Sequence, residues 1–172
     1  MTDIYSLSDI DLLNEKFSGI EMRYNTFYDR MEFQEKDSVL ARGPDPIIKK
    51  VVMGTKTFVI DTIETKDGAF ATYVQRLDSG RIALMAKQMV IYKELERAKP
   101  MQGDVPPRYE RMPDSYYLKI GWGPLKKISS LKKLIEALPD RKAEMEAYTE
   151  NEKIRTNKPD DLAKFIRYYN SM

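Results

Sequence analysis

Lys56-Thr57-Phe58-Val59-Ile60-Asp61-Thr62-Ile63-Glu64-Thr65-Lys66-Asp67-Gly68-Ala69-Phe70-Ala71-Thr72-Tyr73-Val74-Gln75-Arg76-Leu77-Asp78-Ser79-Gly80 is the stretch that decides the fold. Residues 57–63 and 69–77 are rich in Val, Ile, Phe, Tyr and Thr, which suit a pleated and half-buried surface. Lys66-Asp67-Gly68 between them and Asp78-Ser79-Gly80 after them are turn signals at hairpin spacing. The stretch therefore reads as consecutive antiparallel strands. Upstream, Ile47–Met53 leads into the turn Met53-Gly54-Thr55-Lys56, and downstream Arg81–Tyr92 continues the pattern. Further back, Ile20, Met22 and Tyr24 alternate with Glu21 and Arg23, while Met31 and Phe33 alternate with Arg30, Glu32 and Gln34. Pro44 and Pro46 interrupt between these two sets, where a central strand does not accept them.

At the two ends the pattern changes. Ser8 to Phe17 reads as a short helix, with Ser8 as N-cap, Asp11 in the first turn, and Ile10, Leu13 and Phe17 on one face. Arg97 to Asp114 holds four of the nine prolines without periodicity and reads as a semi-extended loop. Tyr116–Ile120 and Leu125–Ile128 read as a hairpin around Gly121-Trp122-Gly123-Pro124. Helical spacing follows. Leu131, Leu134, Ile135 and Leu138 share a face before Pro139. Asp140 opens a second helix carrying Ala143, Ala147 and Tyr148. Pro159-Asp160-Asp161 opens a third, with Leu162, Phe165, Ile166 and Tyr169 as its stripe. The expected class is α+β: an antiparallel β-meander, barrel or sandwich, followed by a C-terminal cap of two to three short helices. The expected organisation is a β-rich body over residues 1–96 with a short N-terminal helix, a Pro-rich loop over 97–114, and a hairpin plus helical region over 115–172. The three parts are expected to pack as one unit.

Composition narrows the chemistry. The 172 residues contain neither histidine nor cysteine. That excludes Ser-His-Asp and Cys-His nucleophile systems, ordinary zinc sites, disulfides and redox thiols. The 29 basic and 27 acidic side chains leave a net charge of +2, too small for a generic nucleic-acid binder. Residues 1–114 carry 17 basic against 19 acidic side chains, and residues 115–172 carry 12 against 8. No apolar run approaches the ~20 residues of a membrane-spanning helix. Met1-Thr2-Asp3-Ile4-Tyr5-Ser6-Leu7 lacks the basic and apolar regions of a leader, so the literal expectation is a cytoplasmic chain.

No motif names a catalyst, a metal or a cofactor, and none of the three is expected. Glu21, Glu32, Asp61 and Glu64 are formal candidates for a two-carboxylate hydrolase acting on a carbohydrate. On alternating strands, however, Glu21 and Glu32 read as solvated carboxylates. Ser129-Ser130 lies near Lys126-Lys127 and Lys132-Lys133, a polar junction where nothing lowers a lysine pKa. The same lysines, with Tyr116, Tyr117 and Trp122, form a weaker candidate for an anionic surface or nucleic acid. They are diluted by Glu136, Asp140, Glu144 and Glu146. Asp160-Asp161 reads as a helix start rather than a cation site. Trp122, between two glycines at a hairpin tip, has two readings: a binding anchor, or a lid folded back over the helices. The second is the simpler. The candidate partner-binding residues are Trp122, Tyr116, Tyr117, Lys126 and Lys127.

Two stretches carry a family resemblance. One is Tyr24-Asn25-Thr26-Phe27-Tyr28-Asp29-Arg30-Met31-Glu32-Phe33 with Lys49-Lys50-Val51-Val52-Met53-Gly54-Thr55-Lys56-Thr57-Phe58. The other is Tyr116-Tyr117-Leu118-Lys119-Ile120-Gly121-Trp122-Gly123-Pro124, continuing through Leu138-Pro139-Asp140-Arg141-Lys142 to Tyr168-Tyr169-Asn170-Ser171. Over residues 17–171 the chain resembles a family of small exported proteins of Bacteroidetes. The resemblance implies the periplasm or cell surface, and it supplies no active-site residues. The functional expectation is a non-enzymatic envelope protein that binds another protein or a surface component.

Overall fold

The computed structural model describes residues 4–97 and 103–172. Ten antiparallel strands form one sheet: β1 Ser6–Leu12, β2 Lys16–Asn25, β3 Arg30–Glu35, β4 Ser38–Arg42, β5 Ile48–Met53, β6 Lys56–Thr65, β7 Gly68–Asp78, β8 Ile82–Lys93, β9 Arg108–Ile120 and β10 Lys126–Lys127. Their order is β10-β9-β8-β7-β6-β5-β1-β2-β3-β4. Consecutive strands are neighbours except β4 and β5, because β1 sits between β5 and β2. The meander expected from the Lys56–Gly80 stretch is therefore present, and its sheet is open, with β10 and β4 as edges. It is a curled sheet rather than a closed barrel or a two-sheet sandwich.

The turns follow their residues. Gly54 takes φ +57° in the two-residue link that closes on Met53 and Lys56. Thr65 pairs with Gly68 across the next hairpin, and the Thr65 hydroxyl donates to the Gly68 carbonyl at 3.0 Å. At the far hairpin Lys36 takes φ +51°, a conformation with a steric penalty for any residue with a Cβ.

Two expectations at element level are corrected. Residues 8–17 are not helical: β1 runs from Ser6 to Leu12, turns, and β2 begins at Lys16. Ser8, Ile10 and Leu12 fit period two as well as Ile10, Leu13 and Phe17 fit the helical period. Pairing with β2 on one side and β5 on the other satisfies the β1 backbone twice over and decides the matter. The Pro-rich loop is shorter than 97–114, because β9 starts at Arg108 and pairs with β8 from Lys93 onward. Pro113 sits at the register shift of that pair, between Met112 and Ser115, where a missing N–H is tolerated. Residues 98–102 lie outside the described residues. No strand is expected from the sequence over residues 38–42; β4 forms there and is exposed throughout.

Three helices follow: α1 Leu131–Glu136, α2 Lys142–Glu152 and α3 Pro159–Ser171. Ser130 caps α1, its hydroxyl accepting from the Lys133 amide at 3.3 Å. In α2 the buried residues are Met145 and Thr149; Ala143 and Ala147 are exposed, so the expected face is rotated. Its second side is held by Tyr148, stacked on Tyr168 of α3 at 3.9 Å between ring centroids. In α3 the stripe Leu162, Phe165, Ile166 and Tyr169 is buried as expected. Each such side chain contributes roughly 1.5–3 kcal/mol.

Alternation along β8 sorts the core. Ile82 and Leu84 join the helices, while Ala83 and Met85 join Ile63, Val74, Tyr117 and Leu125 on the opposite face. The helical face continues across the register through Ala86, Gln75, Phe58, Val51 and Ile10. There a second cluster forms from Ile10, Met22, Tyr24, Met31, Ile48, Val51, Phe58 and Tyr73. Curling closes it upon itself. Tyr24 of β2 lies 5.2 Å from Phe58 of β6 and 5.9 Å from Tyr73 of β7, across strands that are not neighbours.

Candidate functional site

The five candidate residues fall along the β9–β10 hairpin, and the structure separates them. Gly121 takes φ +52°, the Gly123 amide donates to the Ile120 carbonyl at 3.2 Å, and the chain reverses. The next residues are anchored firmly. The Leu125 amide donates to the Thr62 carbonyl at 3.1 Å, Leu125 itself is buried against the β6–β9 face, and Ile128 is buried among the helices. The turn is thus held by Leu125 and not by its tryptophan. Trp122 has a relative exposure of 102 %, so the reading in which it folds back over the helices is overturned. An apolar ring with an N–H donor stands in water on a fixed base.

The tyrosines are different. Tyr117 is 7 % exposed, its ring among Val74, Met85 and Leu125, and its hydroxyl pKa is raised by burial. It is a core residue and no partner reaches its ring. Tyr116 points to the opposite face and packs half-buried against the helical cluster, with its pKa also raised by burial. Lys126 and Lys127 are exposed on β10, but alternation sends them to opposite faces, so they do not form one basic patch. Of the five, Trp122 alone is presented whole, with one lysine available on each side of the edge behind it.

The formal catalytic candidates also separate. Glu32 is 2 % exposed, against the expectation of a solvated carboxylate. It accepts from Arg23 Nε at 2.7 Å, Asn25 Nδ2 at 2.8 Å and Arg30 Nε at 2.9 Å. Burial by itself pushes its pKa up; these three donors outweigh it and hold the carboxyl below its ordinary range. Asp61 is bound by Lys119 at 2.7 Å on the face opposite the helices. Glu21 and Glu64 are exposed. Asp161 accepts from the Arg155 amide at 3.1 Å and its Nε at 3.2 Å, closing the loop before α3. Asp140 does not open α2; it accepts from the Tyr169 hydroxyl at 2.5 Å and from Arg81 at 2.8 Å, tying the α1–α2 link to α3 and β8. Among the described residues no three acidic side chains converge as metal ligands do.

One polar cluster escaped the sequence reading altogether. Asp29, at φ +50° in the β2–β3 turn, accepts from Lys87 Nζ at 2.6 Å, from the Thr72 hydroxyl at 2.6 Å and from the Tyr24 hydroxyl. Lys87 also donates to the Tyr24 oxygen at 2.9 Å and to the Tyr73 carbonyl at 3.2 Å. Burial lowers the Lys87 pKa and raises that of Tyr24. All three ammonium donors have acceptors, so the cluster acts as a clasp between the β2–β3 hairpin and strands β7 and β8. Its partners lie 58 residues apart in the chain, and no local signal announces them.

On the curled face a hollow of about 480 Å³ opens beside β4, walled by Leu12, Phe17, Ile20, Phe33, Leu40 and Ile47 with Arg42 at its margin. Comparison with protein-family models, curated proteins and solved structures returns no match.

Proposed function

We propose that the protein is a non-enzymatic binding module of the cell envelope that docks another protein or a surface component on Trp122. One observation carries this reading: the single tryptophan of the chain is wholly exposed on a turn whose backbone is fixed by Leu125 and Ile128. A rigidly presented indole binds with little loss of conformational freedom, and tryptophan is enriched among the few residues that dominate interface energies. An indole wholly in water contributes little to the stability of the chain that bears it. The envelope location rests on the resemblance carried by residues 24–33, 49–58 and 116–124. The absence of His and Cys and the saturated hydrogen bonding of Glu32 support a role without catalysis.

The lone indole is its own probe. In the free protein, iodide quenches its fluorescence without obstruction. Purified envelope fraction shifts the emission to the blue and shields it. Trp122→Ala weakens retention of the binding component by about thirtyfold, the effect of a dominant contact worth roughly 2 kcal/mol, while stability stays within about 0.5 kcal/mol of the parent. Unchanged retention by the alanine variant would refute the site. Fractionation of the native cells that finds the chain only in the cytosol would refute the location.

A further inference from the structure

The two edges of the sheet are finished differently. At one edge, β10 is two residues long and consists of Lys126 and Lys127, a short charged strand of the kind that prevents pairing with another sheet. At the other, β4 reads Ser38-Val39-Leu40-Ala41-Arg42, with no lysine, no proline and no charge before its last residue. Among the described residues it pairs on one side only, with β3. Val39 and Leu40 are 51 % and 52 % exposed. The hairpin register fixes which backbone groups are free. Glu35 and Ser38 close a two-residue turn, so Ser38, Leu40 and Arg42 direct their N–H and C=O groups to β3, and Val39 and Ala41 direct theirs outward.

We propose that β4 pairs antiparallel with β4 of a second copy of this chain, joining two sheets about a two-fold axis at Leu40. An antiparallel pair on this edge must oppose outward groups to outward groups, which leaves registers that differ by two residues. With Val39 opposite Ala41 of the second copy, Leu40 meets Leu40 and Arg42 meets Ser38, and no like charges are opposed. Sliding by two residues either way leaves only three residues of each β4 opposed, and sets the others against the turn at Lys36-Asp37 or against residues 43–44 beyond the strand. Full overlap of the two five-residue strands therefore selects the register centred on Leu40, self-complementary as an isologous contact requires. The same register sets the Leu40 side chains, each a wall of the apolar hollow, against one another, so the two hollows meet across the axis. Arg42 is neutralised by Asp45 at 2.7 Å and does not repel the approach.

Sedimentation velocity of the full chain, with concentration raised to about 1 mM so that even weak pairing is populated, is expected to show a monomer–dimer equilibrium. Ala41→Pro removes an outward N–H that β3 does not use, and Val39→Lys places a charge on the edge. Each is expected to give a monomer with the parent's thermal unfolding, and the second decides if the first fails to fold. Leu40→Cys supplies the only thiol in the chain. Opposed residues of a non-hydrogen-bonded antiparallel pair stand about 4.5 Å apart at Cα, within disulfide range, so this variant is expected to form a covalent dimer on mild oxidation. Val39→Cys, displaced from its own copy by two residues, is expected not to. A parent that remains monomeric with no excess cross-linking of Leu40→Cys overturns the proposal. So does a dimer indifferent to both edge substitutions, or an edge that accepts a foreign extended peptide and never its own copy.

Discussion

One face of one sheet is completed in two ways. Over β7–β9 it is covered by three helices, and Leu162, Phe165, Ile166 and Tyr169 are withdrawn from water entirely. Over β1–β5 no helix arrives among the described residues; the sheet curls until Tyr24 touches Phe58 and Tyr73, and what curling does not cover remains as the hollow beside Leu40. A helix brings a whole apolar stripe to a sheet, whereas a sheet covering itself is limited by twist and leaves its margin open. The capped end is built for stability. The open end retains accessible apolar surface, and the Asp29–Lys87 clasp joins the two.

The sharpest test of that division is Phe165→Ala, expected to cost about 3–5 kcal/mol in chemical denaturation, as for a large aromatic removed from a sealed core. Next is the joint. Lys87→Ala leaves the Asp29 carboxylate beside the Tyr24 and Thr72 hydroxyls without its cation, and about 3 kcal/mol should be lost. Equal stability in this variant would mean that the two ends hold together by apolar contact alone. At the open end Glu32→Gln should cost about 2 kcal/mol at neutral pH, because two guanidinium groups lose a charged acceptor. The sign with pH is definite. The folded-state pKa of Glu32 lies below its unfolded value, so its contribution is present above the ordinary carboxylate range and disappears as pH falls through the depressed value. The acid limb of the stability–pH curve should accordingly be steeper in the parent than in Glu32→Gln. The smallest effect belongs to Leu40→Ser, expected within about 0.5 kcal/mol of the parent when measured dilute. A cost near that of Phe165→Ala would show the hollow to be core, and the comparison would fail.

Much of the architecture was legible locally. Lys66-Asp67-Gly68 and Met53-Gly54-Thr55-Lys56 predict their hairpins because turn type and strand register are short-range properties. Pro159 and the 162–169 stripe predict α3 for the same reason. What was not legible depends on pairings far apart in sequence. Ser8–Leu12 fits two periods, and only its neighbours β2 and β5 choose between them. Glu32 looks like a surface carboxylate until Arg23 and Asn25 are laid beside it. Trp122 was the natural residue to close the helical face, yet Leu125, an ordinary aliphatic three positions on, anchors the turn instead. At Trp122 the sequence places an aromatic on a hairpin tip and misjudges what surrounds it.

The latch between Asn170 and β8 has a consequence for biosynthesis. The Asn170 side chain accepts from the Ile82 amide and donates to the Ile82 carbonyl, both at 3.0 Å, across 88 residues of chain, and lies so close to Gly80 that a Cβ there would meet it at 2.4 Å. This helix is the last of the described elements to leave the ribosome. Until it emerges, the apolar side of β8 and β9 lacks the α3 stripe and has only the apolar residues of α1, α2 and their links to lie against. A side chain at Gly80 would collide with Asn170 and is expected to loosen α3 from β8.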